Sequence, residues 1–320
     1  MGRTLRGGGL TVQGDLAWLF ATHGRAGLGC SSNPRLRLHG WLWRPPIAPG
    51  VNSPAGEGAR TRSPELSQGA SRVTERAVEL LRLHSDPELL ILVNVWDVAS
   101  ATTVAAVPGC RAVATASAAM AAAFGYPDGE ILPIAMMLEM LARIVGAVGV
   151  PVTADLEAGY GDVASTVARA IAAGAAGANL EDQMRPLAES AKAVRIAVRA
   201  AEVEGVPFVL NARTDAFLEP GGQGGALPQA LQRGRAFLEE GAACVFVPGR
   251  LDADQVSSLV EGLGPHRLSV LGLPGTPTPS ELAALGVARV SYGPYPQLVA
   301  LATLARTAEL LLAGAPPPPL

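Results

Sequence analysis

Lysine is nearly missing from this chain of 320 residues: Lys192 is the only one, and every other basic residue is arginine. So uniform a choice reads as a genome-composition effect and not as phosphate recognition. Aromatic residues make up only 4%, so a core has to be filled by Ala, Val, Leu and Gly. The three cysteines, Cys30, Cys110 and Cys244, are odd in number and far apart. They form neither a disulfide framework nor a CxxC metal pair, which fits a reducing compartment, the cytoplasm. No apolar run reaches the roughly 18 residues of a spanning helix, so the sequence reads as a soluble protein with no membrane partner.

Charge is unevenly placed. Residues 1–70 hold eight Arg against three acids, a net of +5, and the remainder holds 17 basic residues against 25 acids, a net of −8. An acidic body argues against a nucleic-acid partner. The first 70 residues are rich in Gly, Pro, Ser and Arg, as in "RPPIAPGVNSPAGEG" (44–58), with no sustained period. They read as a disordered or loosely ordered extension. Both an organelle-targeting segment and a start assigned too far upstream fit that composition.

From Ser71 the pattern changes. "SRVTERAVELLRLHSD" (71–86) has helical spacing, and eight apolar runs follow, at 89–96, 111–117, 150–157, 177–182, 206–215, 243–249, 266–273 and 288–293. Ala/Leu-rich segments of helical length separate them. Near-continuous apolar strands alternating with helices imply a parallel sheet. Eight units in about 240 residues match a (β/α)8 TIM barrel over 71–320, with an N-terminal helix, better than a doubly wound sheet.

In such a barrel the active site lies at the C-terminal ends of the strands. "VPVTADLEAGYGD" (150–162) ends a buried run in Asp155 and Glu157, whose spacing puts both side chains on one strand face. The fourth strand ends in Glu181-Asp182, and the fifth in Asn211-Ala212-Arg213-Thr214-Asp215. Thr115-Ala116-Ser117 closes the second, with Asp128 in the following loop. Carboxylates and hydroxyls without His or Cys describe a hard oxygen site for Mg²⁺ or Mn²⁺. Asp155, Glu157 and Glu181 are the natural ligands, some through water, and Arg213 is the partner for a substrate carboxylate or oxyanion. Plainer roles compete: Asp155 or Glu157 pairing with Arg213, Asp182 and Asp215 as caps or surface residues, Asp97 as an N-cap. Asp128 could serve only a turn, and Tyr160, between two glycines, could be a loop anchor or a substrate contact. His23, His39, His84 and His266 fall outside the cluster.

"NVWDVASA", "GYPDGE", "TADLEAGYGD", "NLED" and "NARTDAF", in that order, resemble the phosphoenolpyruvate mutase/isocitrate lyase superfamily. The likeness runs from about Ser71 to the last helix. It implies Mg²⁺ on Asp155, Glu157 and Glu181. Thr115, Ala116, Ser117 and Arg213 would bind substrate, and Asp128 and Arg213 would be catalytic. Beside these, Trp96 at the end of the first strand is a candidate substrate contact and Tyr160 a candidate catalytic proton source. The implied reaction makes or breaks a C–C or P–C bond beside a pyruvoyl group through an enolate. The Cys-bearing lid of the lyases is replaced by "LEDQMRPLAES" (180–190), and their carboxylate-gripping residues by "FVPGR" (246–250) and "VLGLPGT" (270–276). The expected substrate is therefore a small 2-oxo or 2-hydroxy dicarboxylate, oxaloacetate- or malate-like. Phosphonopyruvate chemistry and a non-catalytic oxo-acid-binding barrel are the alternatives. The resemblance also implies a homo-oligomer, a dimer or tetramer.

Overall fold

The computed structural model describes residues 64–219 and 225–319. Most of the expected extension lies outside them. Helix α1, Pro64–His84, starts inside that extension, a little ahead of the expected Ser71. Then come β1 (Leu90–Val95), α2 (Val98–Ala105), β2 (Val113–Thr115), α3 (Ser117–Ala123), α4 (Ile134–Ala147) and β3 (Val152–Asp155). These are followed by α5 (Val163–Ala172), β4 (Gly177–Glu181), α6 (Leu187–Glu204), β5 (Val209–Arg213) and α7 (Ala226–Glu239). The chain finishes with β6 (Cys244–Val247), α8 (Ala253–Leu263), β7 (Leu268–Leu271), α9 (Pro279–Ala284), β8 (Arg289–Ser291) and α10 (Tyr295–Leu312).

The eight strands pair in parallel in sequence order, and β8 returns to β1, with Leu90 opposite Arg289, to close a barrel. Closure buries both strand faces, which is why β2 and β6 are buried at every position and read as unbroken apolar runs. One expected boundary moves: Ser117 is not the end of a strand but the first residue of α3, a helix the sequence reading did not separate from β2. Asp97 is the expected N-cap, accepting from the Ser100 amide in a reciprocal capping box. α1 buries Val73, Ala77, Leu80 and Leu83 at helical spacing, and Leu80 lies against β4 at Gly177.

The barrel interior is unusually polar. Alternation puts Thr153 and Asp155, Asn179 and Glu181, Asn211 and Arg213, and Arg289 and Ser291 on inward faces of their strands. Arg289, fully buried, donates from Nη2 to Asn179 Oδ1 at 3.1 Å. Since β8 and β4 are not neighbours, that bond crosses the barrel. Asn211 Nδ2 donates to the same oxygen at 2.8 Å. Apolar side chains usually fill such layers. Here an amide and guanidinium bridge takes their place beneath the mouth.

Gly177 is required by space. A Cβ there would lie 2.5 Å from the Val209 carbonyl oxygen and 2.9 Å from Leu80 Cδ2. Because one obstacle is backbone of the adjacent strand, Gly177→Ala is expected to cost about 3 kcal/mol. Urea unfolding measures this, and a variant as stable as the parent would refute the tight approach.

Candidate active site

Asp155, at the end of β3, is the electrostatic hub of the mouth. Its Oδ2 accepts from the Ser117 amide at 3.1 Å and from Ser117 Oγ at 2.9 Å, while its own amide donates to Thr115 Oγ1 at 2.9 Å. The first turn of α3 thus orients the carboxylate, and Oδ1 is left without a hydrogen-bond partner among the described residues. Ala116 is the buried residue that turns the chain from β2 into α3. Trp96 follows β1 directly, and its amide donates to Ser100 Oγ at 3.0 Å.

Glu157 is buried at 4% exposure. One of its oxygens accepts from the Glu130 amide and the other from Tyr160 Oη at 2.8 Å. Burial, and then the Asp155 and Asp128 carboxylates, push its pKa up to about 8 against the pull of those two bonds. Burial and the neighbouring Glu157 likewise raise the Tyr160 hydroxyl, so Tyr160 stays a donor. Glu181 is pushed up to about 7, chiefly by burial; Arg213 works against that rise, and Asp215 and Asp155 add to it. Asp128 stands at the exposed rim. Its carboxyl is raised by loss of hydration and by the Asp155 carboxylate, against the pull of the Arg213 cation.

Arg213, at the end of β5, lies between two acids. Its Nη1 is 2.9 Å from Glu181 Oε2, and its Nε donates to Asp215 Oδ1 at 2.6 Å. Burial disfavours the cation, but Glu181, Asp215 and Asp155 outweigh it and raise the pKa further, so the guanidinium stays charged. Asp155 and Arg213 therefore act on each other across the mouth without an ion pair between them. The simple Asp155–Arg213 and Glu157–Arg213 pairings do not form.

Asp182 is neither a cap nor a surface residue. Its Oδ2 is 3.0 Å from Arg233 Nη1, and its Oδ1 accepts from the Met184 and Asp215 amides, so it ties β4, β5 and α7 together. Glu130 was missed by the sequence reading. Its only signal was its place at the end of "GYPDGE".

Among the described residues no three His, Cys, Asp or Glu side chains gather closely enough to grip one ion directly. The donor set still fits a hard cation. Asp155 Oδ1 is unengaged, and several crowded carboxylates raise one another's pKa, a repulsion that a divalent ion would relieve. Because Mg²⁺ keeps several waters, Glu157 and Glu181, each already hydrogen-bonded, fit as ligands through water.

Acids and an arginine gathered at the carboxyl ends of the strands stand where parallel β/α barrels carry their active sites. Residues 80–312 match the family model described as phosphoenolpyruvate phosphomutase, and the chain belongs to the phosphoenolpyruvate mutase/isocitrate lyase superfamily. A structure from Burkholderia cenocepacia J2315 described as a phosphonomutase is 42% identical, with a TM-score of 0.70, over 74% of this chain and 99% of that one. Oxaloacetate decarboxylase of Bradyrhizobium sp. is 30% identical over 217 residues, 63% of this chain and 73% of that protein. 2,3-Dimethylmalate lyase of Eubacterium barkeri is 28% identical over 228 residues, 66% of this chain and 77% of that protein. No helix among the described residues is long and apolar enough to cross a membrane.

Proposed function

We propose that residues 71–320 form a Mg²⁺-dependent lyase that cleaves, or in reverse forms, a bond beside a pyruvoyl group in a small 2-oxo or 2-hydroxy dicarboxylate. The observation that carries this reading is the pair of opposed groups in one mouth: Asp155, with one free carboxylate oxygen, and Arg213, held charged by Glu181 and Asp215. Asp155 would hold the metal through Oδ1, with Glu157 and Glu181 acting through water. Bound there, Mg²⁺ supplies a Lewis acid for the oxygen on which charge develops. Arg213 holds the substrate carboxylate or the developing enolate oxygen. Trp96 and the Thr115–Ser117 segment would contact the substrate. Asp128 at the rim, with its raised pKa, is suited to hold or move a proton, and Tyr160 to steady Glu157.

The short turn at 182–186, between β4 and α6, supports a small substrate, since no long lid segment rises there. So do the two relatives that act on oxaloacetate and 2,3-dimethylmalate. The free Cys110 and Cys244 suit a reducing cytoplasm. The exposed Leu301, Leu304 and Leu312 of α10 support self-assembly as a dimer or tetramer. Cleavage at a P–C bond is the second reading, favoured by the identity to the Burkholderia protein.

The test is release of pyruvate or phosphoenolpyruvate from a panel of oxaloacetate, substituted malates and phosphonopyruvate, with the full chain and Mg²⁺. Turnover that needs the metal and disappears in Asp155→Ala is the expected result. Binding of oxalate with Mg²⁺ but no turnover of any compound would replace the lyase with a non-catalytic oxo-acid-binding barrel.

A further inference from the structure

The loop between α3 and α4 carries Asp128, and it is fastened to the turn after β3 by a closed ring of three hydrogen bonds. The Glu130 amide donates to Glu157 Oε2. The Tyr160 amide donates to Glu130 Oε1 at 2.5 Å, and Tyr160 Oη donates to Glu157 Oε1 at 2.8 Å. All three residues have left-handed backbone, with φ of 63° at Glu130, 49° at Glu157 and 52° at Tyr160.

Left-handed backbone at a residue other than glycine costs on the order of 1 kcal/mol, and it persists only where its surroundings over-determine it. An ordinary turn would place glycine at such positions, and Gly129, Gly159 and Gly161 stand next to them with positive φ of their own. The chain instead puts two acids and a tyrosine there, and their polar groups converge. Turn formation does not account for that convergence. A ring that orients one carboxylate does.

We infer that Glu130 is a positioning residue for the site: its side chain and amide clasp Tyr160 and Glu157, fixing the Glu157 carboxylate and drawing the Asp128 loop over the mouth. Glu130 acts through Glu157 and Tyr160, not on substrate. This inference rests on the proposed metal site for its consequence in binding, but the clasp itself can be tested without metal.

The Glu130 carboxylate works as an acceptor for the Tyr160 amide, so a neutral amide of the same shape should replace it. In the full chain, Glu130→Ala is expected to speed hydrogen–deuterium exchange at the Tyr160 amide about tenfold. It should also weaken Mn²⁺ binding, followed by electron paramagnetic resonance, by about tenfold, the lower end for groups that orient metal ligands. Glu130→Gln should stay near the parent in both, with the melting temperature close to the parent in both variants. Unchanged exchange and unchanged Mn²⁺ affinity in Glu130→Ala overturn the inference. So does a glutamine variant that fails as badly as alanine, since charge and not geometry would then be at work. Should the parent chain bind no Mn²⁺ while the exchange pattern holds, the clasp stands and the metal reading of the site falls.

Discussion

Arg213→Ala is expected to lower kcat by between about 10²- and 10³-fold on whichever substrate the panel identifies, equivalent to about 2.7–4 kcal/mol of lost oxyanion stabilisation. The guanidinium is ion-paired with two acids of the mouth, Glu181 on β4 and Asp215 just past β5. Its removal leaves both carboxyls without their partner, and both then favour the protonated form more strongly than before. Arg213→Lys keeps the charge but not the planar fork that reaches two acids at once, so it should recover only part of the loss. Steady-state kinetics of the two variants, with urea midpoints taken in parallel, separate catalytic from folding effects. If Arg213→Ala retains turnover within tenfold of the parent, the arginine does not hold the developing charge.

The second large effect is on acid stability and comes from the far end of α1. His84 is buried, and its Nδ1 lies 2.8 Å from the Leu80 carbonyl, which makes Nδ1 the donor. Burial, with Arg289 second, lowers its pKa to about 4 in spite of that bond. The unfolded chain takes up this proton near pH 6.5, well before the folded chain does. Stability is therefore complete above about pH 6.5 and falls as the pH drops toward 4, by about 3 kcal/mol for the separation of the two values. His84→Gln keeps a donor for Leu80 but cannot ionise. The comparison removes contributions from the mouth carboxylates, whose raised values act in the opposite sense. The stability of the parent relative to His84→Gln should fall between pH 6.5 and 4.5, and a difference independent of pH would mean the imidazole is not buried against Arg289.

The barrel was legible because its strands are buried on both faces and so read as apolar runs, and the mouth was legible because acids interrupt those runs at one end. Asp155, Glu181 and Arg213 needed only strand alternation and the rule that function gathers at the carboxyl ends. Helix α3 was not legible. In "SAAMAAA" nearly every residue is small and apolar, so there is no polar face to set a period. Glu130 escaped for another reason: its partners lie 27 and 30 positions away, and backbone handedness, which leaves no pattern in the letters, brings them together. Arg289 was hidden inside an expected apolar run, and only barrel closure shows its side chain reaching across to Asn179.

Glu181 and Asp182 are consecutive, yet they serve different parts of the molecule. The first faces Arg213 in the mouth; the second binds Arg233 on α7 and the Asp215 amide in the surrounding wall. Strand alternation turns one carboxylate into the mouth and the next into the wall, and Asp215, held by both Arg213 and Asp182, joins the two. On the proposed reading, substitution at 181 would act on the chemistry directly, whereas substitution at 182 would loosen the wall and reach Arg213 only through Asp215. Descendants of such a barrel could explore new reactions at one letter while the next keeps them folded.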